Sequence, residues 1–162
     1  MTAAPEIRRI HHTAIICSDY AVSRHFYTTI LGLRVLAENY RALRDSWKLD
    51  LQLSDGGQIE LFSMPGAPSR PSYPEARGLR HLAFAVGDVQ AWAEHLKGFG
   101  IAVEPLRLDE YTGQRFTFFQ DPDHLPLELY EDYSSSIKNQ DTSPESIDQP
   151  DGNASLFRKA AP

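Results

Sequence analysis

Two stretches of the chain, "RRIHHTAIICSD" (residues 8–19) and "GLRHLAFAVGD" (residues 78–88), repeat one pattern that decides the fold. In each, an apolar run begins at a histidine and an aspartate follows seven residues later: His12 with Asp19, and His81 with Asp88. The two pairs are offset by 69 residues. Branched apolar residues make each run typical of a β-strand, and each aspartate can cap a helix that follows it.

The same order of elements continues after both stretches. Apolar residues recur at three- and four-residue spacing in each predicted helix, at Val22, Phe26, Tyr27, Ile30 and Leu31, then at Val89, Trp92, Ala93 and Leu96. Three strand-like segments follow each helix: "LRVLAENYR", "WKLDLQLS" and "QIELF", then "IAVEPLRL", "RFTFFQ" and "LPLELYE". The sequence therefore predicts an α+β fold made of two tandem βαβββ modules.

We expect one domain over residues 8–131, with modules at 8–63 and 79–131. The linker at 64–78 holds four prolines and two glycines, and neither a helix nor a sheet tolerates so many missing N–H donors. Residues 1–7 form an N-terminal extension. The polar, serine-rich residues 132–162 are predicted to be a disordered tail, because they offer little apolar surface to bury.

Composition excludes some classes of function. The net charge of −6 argues against a nucleic-acid-binding protein, which needs a basic face for phosphates. No apolar stretch fits a signal peptide or a membrane span, so we expect a cytoplasmic protein without a membrane partner. The single cysteine, Cys17, lies in an apolar run and is predicted to be buried rather than nucleophilic.

Strand alternation predicts that His11 and His12 point to opposite faces, and the repeat aligns His12, not His11, with His81. A second match joins Glu60 in "QIELF" to Glu128 in "PLELY", offset by 68 residues. A carboxylate in an apolar strand is costly unless it is paired or bound to a metal. We therefore predict one shared metal site made of His12, Glu60, His81 and Glu128.

Two imidazoles and two carboxylates suit one divalent ion per site, of Ni²⁺, Zn²⁺, Co²⁺, Mn²⁺ or Fe²⁺. Open coordination positions would admit the oxygens of a small-molecule substrate. His25 and His95 lie on the predicted helices and are expected to have structural roles. His124, in "DPDH", is predicted to be a turn residue with a positive φ.

The motifs "HHTAII…D", "IELF", "GLRHLAFAV…D" and "DPDHLPLELYE" resemble the vicinal-oxygen-chelate superfamily over about residues 8–131, and within it the glyoxalase I (lactoylglutathione lyase) group. The resemblance implies a curved mixed sheet that forms a metal-binding cup, and a homodimer whose sites lie between subunits. It implies a lyase or isomerase that acts on a hemithioacetal of a 2-oxoaldehyde and a thiol such as glutathione, through a metal-stabilised enediolate. Glu128 is then the expected catalytic base, with Glu60 as its counterpart.

The sequence departs from glyoxalase I at two positions. Ile16 stands where that group usually carries an arginine that clamps a glutathione carboxylate, and Met64 stands where it often carries an asparagine. Replacement anion binders could be Arg44, Lys48 or Arg115.

Other functions share the fold. A metal-dependent epimerase usually has glutamine at the position of Glu60, and a dioxygenase or thiol transferase uses one carboxylate fewer. A drug-binding resistance protein generally lacks the metal ligands.

Overall fold

The computed structural model describes residues 4–132. The first module contains β1 (His12–Cys17), α1 (Tyr20–His25) with a short π-helical continuation (Phe26–Ile30), β2 (Arg34–Arg41), a 3₁₀ turn (Ala42–Arg44), β3 (Ser46–Gln52) and β4 (Gln58–Ser63). The second contains β5 (Leu82–Val86), α2 (Val89–Gly98), β6 (Arg107–Leu108), β7 (Arg115–Gln120) and β8 (Pro126–Glu131). The predicted tail at 132–162 lies almost entirely outside the described residues.

Each module forms one four-stranded mixed sheet. The strand orders, β1-β4-β3-β2 and β5-β8-β7-β6, are the same order in the two modules. The first strand of each module pairs in parallel with the last, and the other pairs are antiparallel. The predicted α+β fold of two βαβββ modules is confirmed.

One predicted strand is largely absent. The segment at 101–108 was expected to be extended throughout, but only Arg107 and Leu108 pair with a neighbouring strand. Pro105 has no N–H to donate to a ladder. Isolated hydrogen bonds hold this segment instead. In one of them the Glu104 N–H donates to the Phe118 carbonyl at 2.9 Å.

The predicted helix caps are present. The Asp19 carboxylate accepts from the Val22 N–H and the Asp88 carboxylate accepts from the Ala91 N–H, both at 3.1 Å. Gly32 follows the first helix with a φ of +71°, a conformation that glycine adopts without strain. Val22, predicted to face the core, is instead 50% exposed.

The helix-facing side chains of both modules form one hydrophobic core. Phe26 of the first module meets Phe119 of the second, with ring centroids 6.4 Å apart. The buried Tyr27 hydroxyl donates to Asp121 at 3.0 Å, and the His95 Nε2–H donates to the Ile30 carbonyl at 2.8 Å. The modules therefore join through their helices and buried sheet faces.

The opposite face of each sheet is called here the open face. Leu49, Leu51, Ile59 and Leu61 in the first module, and Leu127 and Leu129 in the second, are buried in the core. Alternation then places the intervening residues on the open faces. These are Lys48, Asp50, Glu60 and Phe62 in the first module, and Phe116, Phe118, Glu128 and Tyr130 in the second.

Replacing Tyr27 by phenylalanine tests the hydrogen bond from Tyr27 to Asp121, which joins the two modules. The buried Asp121 carboxylate loses one donor, and desolvation already raises the pKa of that carboxyl. We expect Tyr27→Phe to lower the free energy of unfolding by about 1–3 kcal/mol, measured by urea denaturation. Tyr111→Phe, at an 89% exposed tyrosine, is the matched control and should change stability by less than about 0.5 kcal/mol. Equal stability of the two variants would contradict a role for this bond.

Candidate metal centre

The second module brings its predicted histidine and glutamate into direct contact. His81 lies immediately before β5, and Glu128 lies on the neighbouring strand β8. The His81 Nε2 atom is 2.9 Å from Glu128 Oε2, and the glutamate side chain is only 12% exposed. Phe118 lies opposite Glu128 in the sheet and meets the His81 ring edge-on, at 5.2 Å between centroids. An apolar ring thus limits the access of water to this pair.

The first module holds the equivalent pair more loosely and in a more polar setting. His12 Nε2 is 3.8 Å from Glu60 Oε2. The other oxygen of Glu60 accepts from Lys48 Nζ at 3.0 Å, and the same ammonium donates to Asp50 at 2.5 Å. Hydrogen bonding to Asp50 is the main cause that raises the pKa of Lys48. A charged lysine therefore orients Glu60.

The expectation that His11 and His12 point to opposite faces is not met. Their Nδ1 atoms lie 3.0 Å apart, within hydrogen-bond distance, and the rings meet edge-on. The physical reason is that β1 begins at His12, so His11 lies outside the strand and is not subject to its alternation. His12 is nevertheless the histidine that contacts Glu60.

The two pairs do not come together within one chain. Across residues 4–132, no three histidine, cysteine, aspartate or glutamate side chains converge as a metal site requires. Each pair has the donor types that a divalent ion takes, an imidazole nitrogen and a carboxylate oxygen. Two donors make half of a four-ligand set, so each open face fits half of a metal site.

The three candidate anion binders are placed very differently. Lys48 lies on the open face beside Glu60. Arg44 is exposed in the 3₁₀ turn. Arg115 lies on the helix-facing side of its sheet, where it binds the buried Glu131 at 2.5–3.1 Å. The structure therefore does not bring Arg115 to the face that carries Glu128.

An aromatic wall that was not predicted from the sequence lies beside Glu128. Phe116, Phe118 and Tyr130 line the open face of the second module, and the Arg107 guanidinium lies 4.9 Å and 5.3 Å from the two phenylalanine ring centroids. Alternation in "RFTFFQ" could have revealed the two phenylalanines. No sequence pattern indicated that Arg107 would contact these rings, because its segment was expected to be a regular strand.

A cavity of about 880 Å³ opens at this wall. Its lining includes His81, Glu128, Phe116, Phe118, His124, and several residues of the predicted linker between Arg70 and Ala76. His124 has a φ of +65°, which confirms its predicted turn conformation. The segment that was expected only to connect the modules therefore also forms one side of this cavity.

A family model matches this architecture. The model of the Glyoxalase/Bleomycin resistance protein/Dioxygenase superfamily matches residues 9–129. The chain belongs to this superfamily, whose members generally bind a divalent metal ion. No helix within residues 4–132 is long and apolar enough to cross a membrane.

Close relatives share nearly the whole domain. The uncharacterized protein YaeR of Escherichia coli is 57% identical over 125 residues, covering 77% of this chain and 97% of that protein. The crystal structure of a glyoxalase family protein from Enterococcus faecalis is 49% identical with a TM-score of 0.72, covering 76% of this chain and 98% of that one. These similarities support the fold and the family.

Two more distant relatives carry names of activities. A probable lactoylglutathione lyase of Vibrio cholerae is 29% identical over 129 residues, covering 75% of this chain and 88% of that protein. A 2-epi-5-epi-valiolone epimerase of Actinomyces is 27% identical over 173 aligned positions, covering 94% of this chain and 94% of that protein.

The rate at which the Cys17 thiol is labelled tests whether this side chain is buried in the native chain. Cys17 is buried, as predicted, and burial raises the pKa of its thiol to about 11. The nucleophilic thiolate is then about one part in a thousand at pH 8. We expect an aromatic disulfide reagent to label the native chain at least about a hundredfold more slowly than the urea-unfolded chain. Since the chain has one cysteine, equal labelling rates would directly contradict this environment.

Proposed function

We propose that this protein is a metal-dependent lyase or isomerase of glyoxalase I type. The observation that carries the proposal is the repeated His–Glu pair, at equivalent positions on two open faces, with Nε2–Oε2 distances of 2.9 Å and 3.8 Å. Its substrate is a small vicinally oxygenated molecule, and a hemithioacetal of a 2-oxoaldehyde and a thiol fits this class. The repeat argues against a surface ion pair, because two unrelated pairs would not occupy matching registers.

The proposed assembly is a homodimer with two sites between its subunits. The helix-side core holds the two modules of one chain together and leaves both open faces uncovered by it. A second copy related by a twofold axis can place its His81–Glu128 pair against the His12–Glu60 pair of the first. Each interface would then offer four ligands, two from each chain, to one divalent ion of the Ni²⁺, Zn²⁺, Co²⁺, Mn²⁺ or Fe²⁺ class.

The two glutamates are proposed to have different roles. A divalent ion bound by these residues would polarise adjacent substrate oxygens and stabilise negative charge next to the carbon that loses its proton. Glu128 takes that proton as general base and returns it to the neighbouring carbon. Phe118 and the low exposure of Glu128 keep water from intercepting the proton.

The Glu60 carboxylate is held in one orientation by a hydrogen bond. Its Oε1 atom accepts from Lys48, which is itself held by Asp50. Such a charge-assisted hydrogen bond fixes the orientation of the carboxylate. Glu60 is therefore proposed to be the fixed counterpart of Glu128 rather than the base.

The epimerase relative favours a second candidate function. Its similarity extends over 94% of this chain. Epimerisation next to a carbonyl also begins with removal of a carbon-bound proton, for which Glu128 could serve as base. Glu60 is the departure from this candidate, because a metal-dependent epimerase usually has glutamine at that position. The two candidates differ in the substrate rather than in the first chemical step.

A heterodimer tests the site and its location between subunits. One chain carries His12→Ala with Glu60→Gln, the other carries His81→Ala with Glu128→Gln, and each has its own affinity tag. We expect each doubly substituted homodimer to lose tight Zn²⁺ binding. The heterodimer purified through both tags should regain about one site of two, because one interface then contains all four ligands. Zn²⁺ titration calorimetry measures the number of sites.

Controls make this result specific. His25→Ala with Glu110→Gln removes the same residue types at exposed positions and should leave Zn²⁺ binding unchanged. Full binding by either doubly substituted homodimer would contradict the site. A heterodimer without any tight site would contradict its location between subunits.

The catalytic role of Glu128 has its own test. With Ni²⁺ or Zn²⁺ bound, we expect the wild-type chain to convert the methylglyoxal–glutathione hemithioacetal to lactoylglutathione. Glu128→Gln should lower kcat by about 10²–10⁴-fold, because general-base catalysis contributes that much. Glu110→Gln is the control. Metal bound without turnover would contradict glyoxalase activity and leave the epimerase reaction as the next assay.

Other members of the superfamily predict different outcomes. Oxygen consumption with a catechol, or thiol addition to a drug, would indicate a dioxygenase or a thiol transferase. Tight drug binding that needs no metal would indicate a resistance protein.

A further inference from the structure

The guanidinium of Arg41 occupies an unusual place on the open face of the first module. Arg41 is the last residue of β2 and is half-buried. Its Cζ atom lies 4.8 Å from the centroid of the Phe62 ring. Lys48 Nζ lies 5.8 Å from the same centroid and 3.0 Å from Glu60. Arg41 is therefore one aromatic ring away from the polar groups around Glu60.

Its positive charge is not neutralised by an acidic side chain of the described part of the chain. Within residues 4–132, no carboxylate lies within ion-pair distance of Arg41, whereas Lys48 binds two and Arg107 binds one. The partner of Arg41 is neutral, because the buried Ser46 hydroxyl accepts from its Nε and Nη2 atoms at 3.1 Å and 2.7 Å. Among the described residues, the Arg41 guanidinium beside the His12–Glu60 pair thus has no acidic partner.

The bonds to Ser46 leave the rest of the guanidinium available. A guanidinium has five N–H donors, and Ser46 engages two of the three nitrogens along one edge. The remaining edge can bind a carboxylate through two parallel bonds. Stacking on Phe62 and bonding to Ser46 hold this group in place before a ligand arrives, which lowers the entropic cost of binding.

We propose that Arg41 is a specificity-determining residue that binds a carboxylate of the substrate, remote from its reacting oxygens. The inference rests on the proposed function for placing those oxygens at the His–Glu pairs. The substrate class is then a small vicinally oxygenated compound with a second, anionic end. Lys48 is less suited to this role, because Asp50 and Glu60 already surround its ammonium group.

Two 2-oxo acids that differ at one end test this role. 2-Oxoglutarate and 2-oxovalerate have the same adjacent oxygens, but only the first has a distal carboxylate. We expect the full wild-type chain to bind 2-oxoglutarate at least about tenfold more tightly, as a charged hydrogen-bonded contact provides. Isothermal titration calorimetry measures both affinities, with Zn²⁺ bound and without it.

Three variants make the test specific. Arg41→Gln should abolish the preference, and Arg41→Lys should keep part of it, because an ammonium retains the charge without the bidentate geometry. Lys97→Gln removes one positive charge near the end of α2 and should leave the preference unchanged. Light scattering verifies the oligomeric state of each variant, and circular dichroism verifies its folding.

Several results would overturn the inference. These are an equal affinity of the wild-type chain for both acids, a preference that persists in Arg41→Gln, or one that Lys97→Gln also removes. A dissociated but folded Arg41→Gln variant would make Arg41 an interface residue instead. Failure of the proposed metal site would be seen separately, because the wild-type chain would then not bind Zn²⁺. In that case the preference of the metal-free chain for 2-oxoglutarate over 2-oxovalerate still decides the role of Arg41.

Discussion

The single hydrophobic core between the modules is the constraint on which the rest of the structure depends. Each sheet buries one face against helices and against the other module, and Phe26 and Phe119 meet where the modules join. The strand period of two then forces the alternate residues to the open faces. The positions of Glu60 and Glu128 therefore follow from where Leu61 and Leu129 are buried.

The repeat is symmetric in its backbone but not in the character of its open faces. The pairs Lys48–Phe62 and Asp50–Glu60 in the first module correspond in register to Phe116–Tyr130 and Phe118–Glu128 in the second. One half-site is thus lined by charged groups and the other by aromatic rings. In the proposed dimer these different surfaces would face each other, and a substrate would meet a polar wall and an apolar one.

Much of the fold could be predicted because its signals are local. The caps at Asp19 and Asp88 and the positive φ of His124 each depend on a few neighbouring residues. Predictions failed where a local pattern met another constraint. Pro105 interrupts the regular strand expected over residues 101–108, of which only β6 forms. Because β1 begins only at His12, strand alternation does not separate His12 from His11.

The sequence by itself determined the modules and the two His–Glu pairs, because strand period and an internal repeat are written in residue order. Only the tertiary structure decided that one chain leaves the pairs apart, that Arg115 binds Glu131 away from the open face, and that Arg41 stacks on Phe62. Arg41 and Phe62 lie on strands separated by β3. Their contact depends on the sheet order and on the path of a long side chain, which no local pattern encodes.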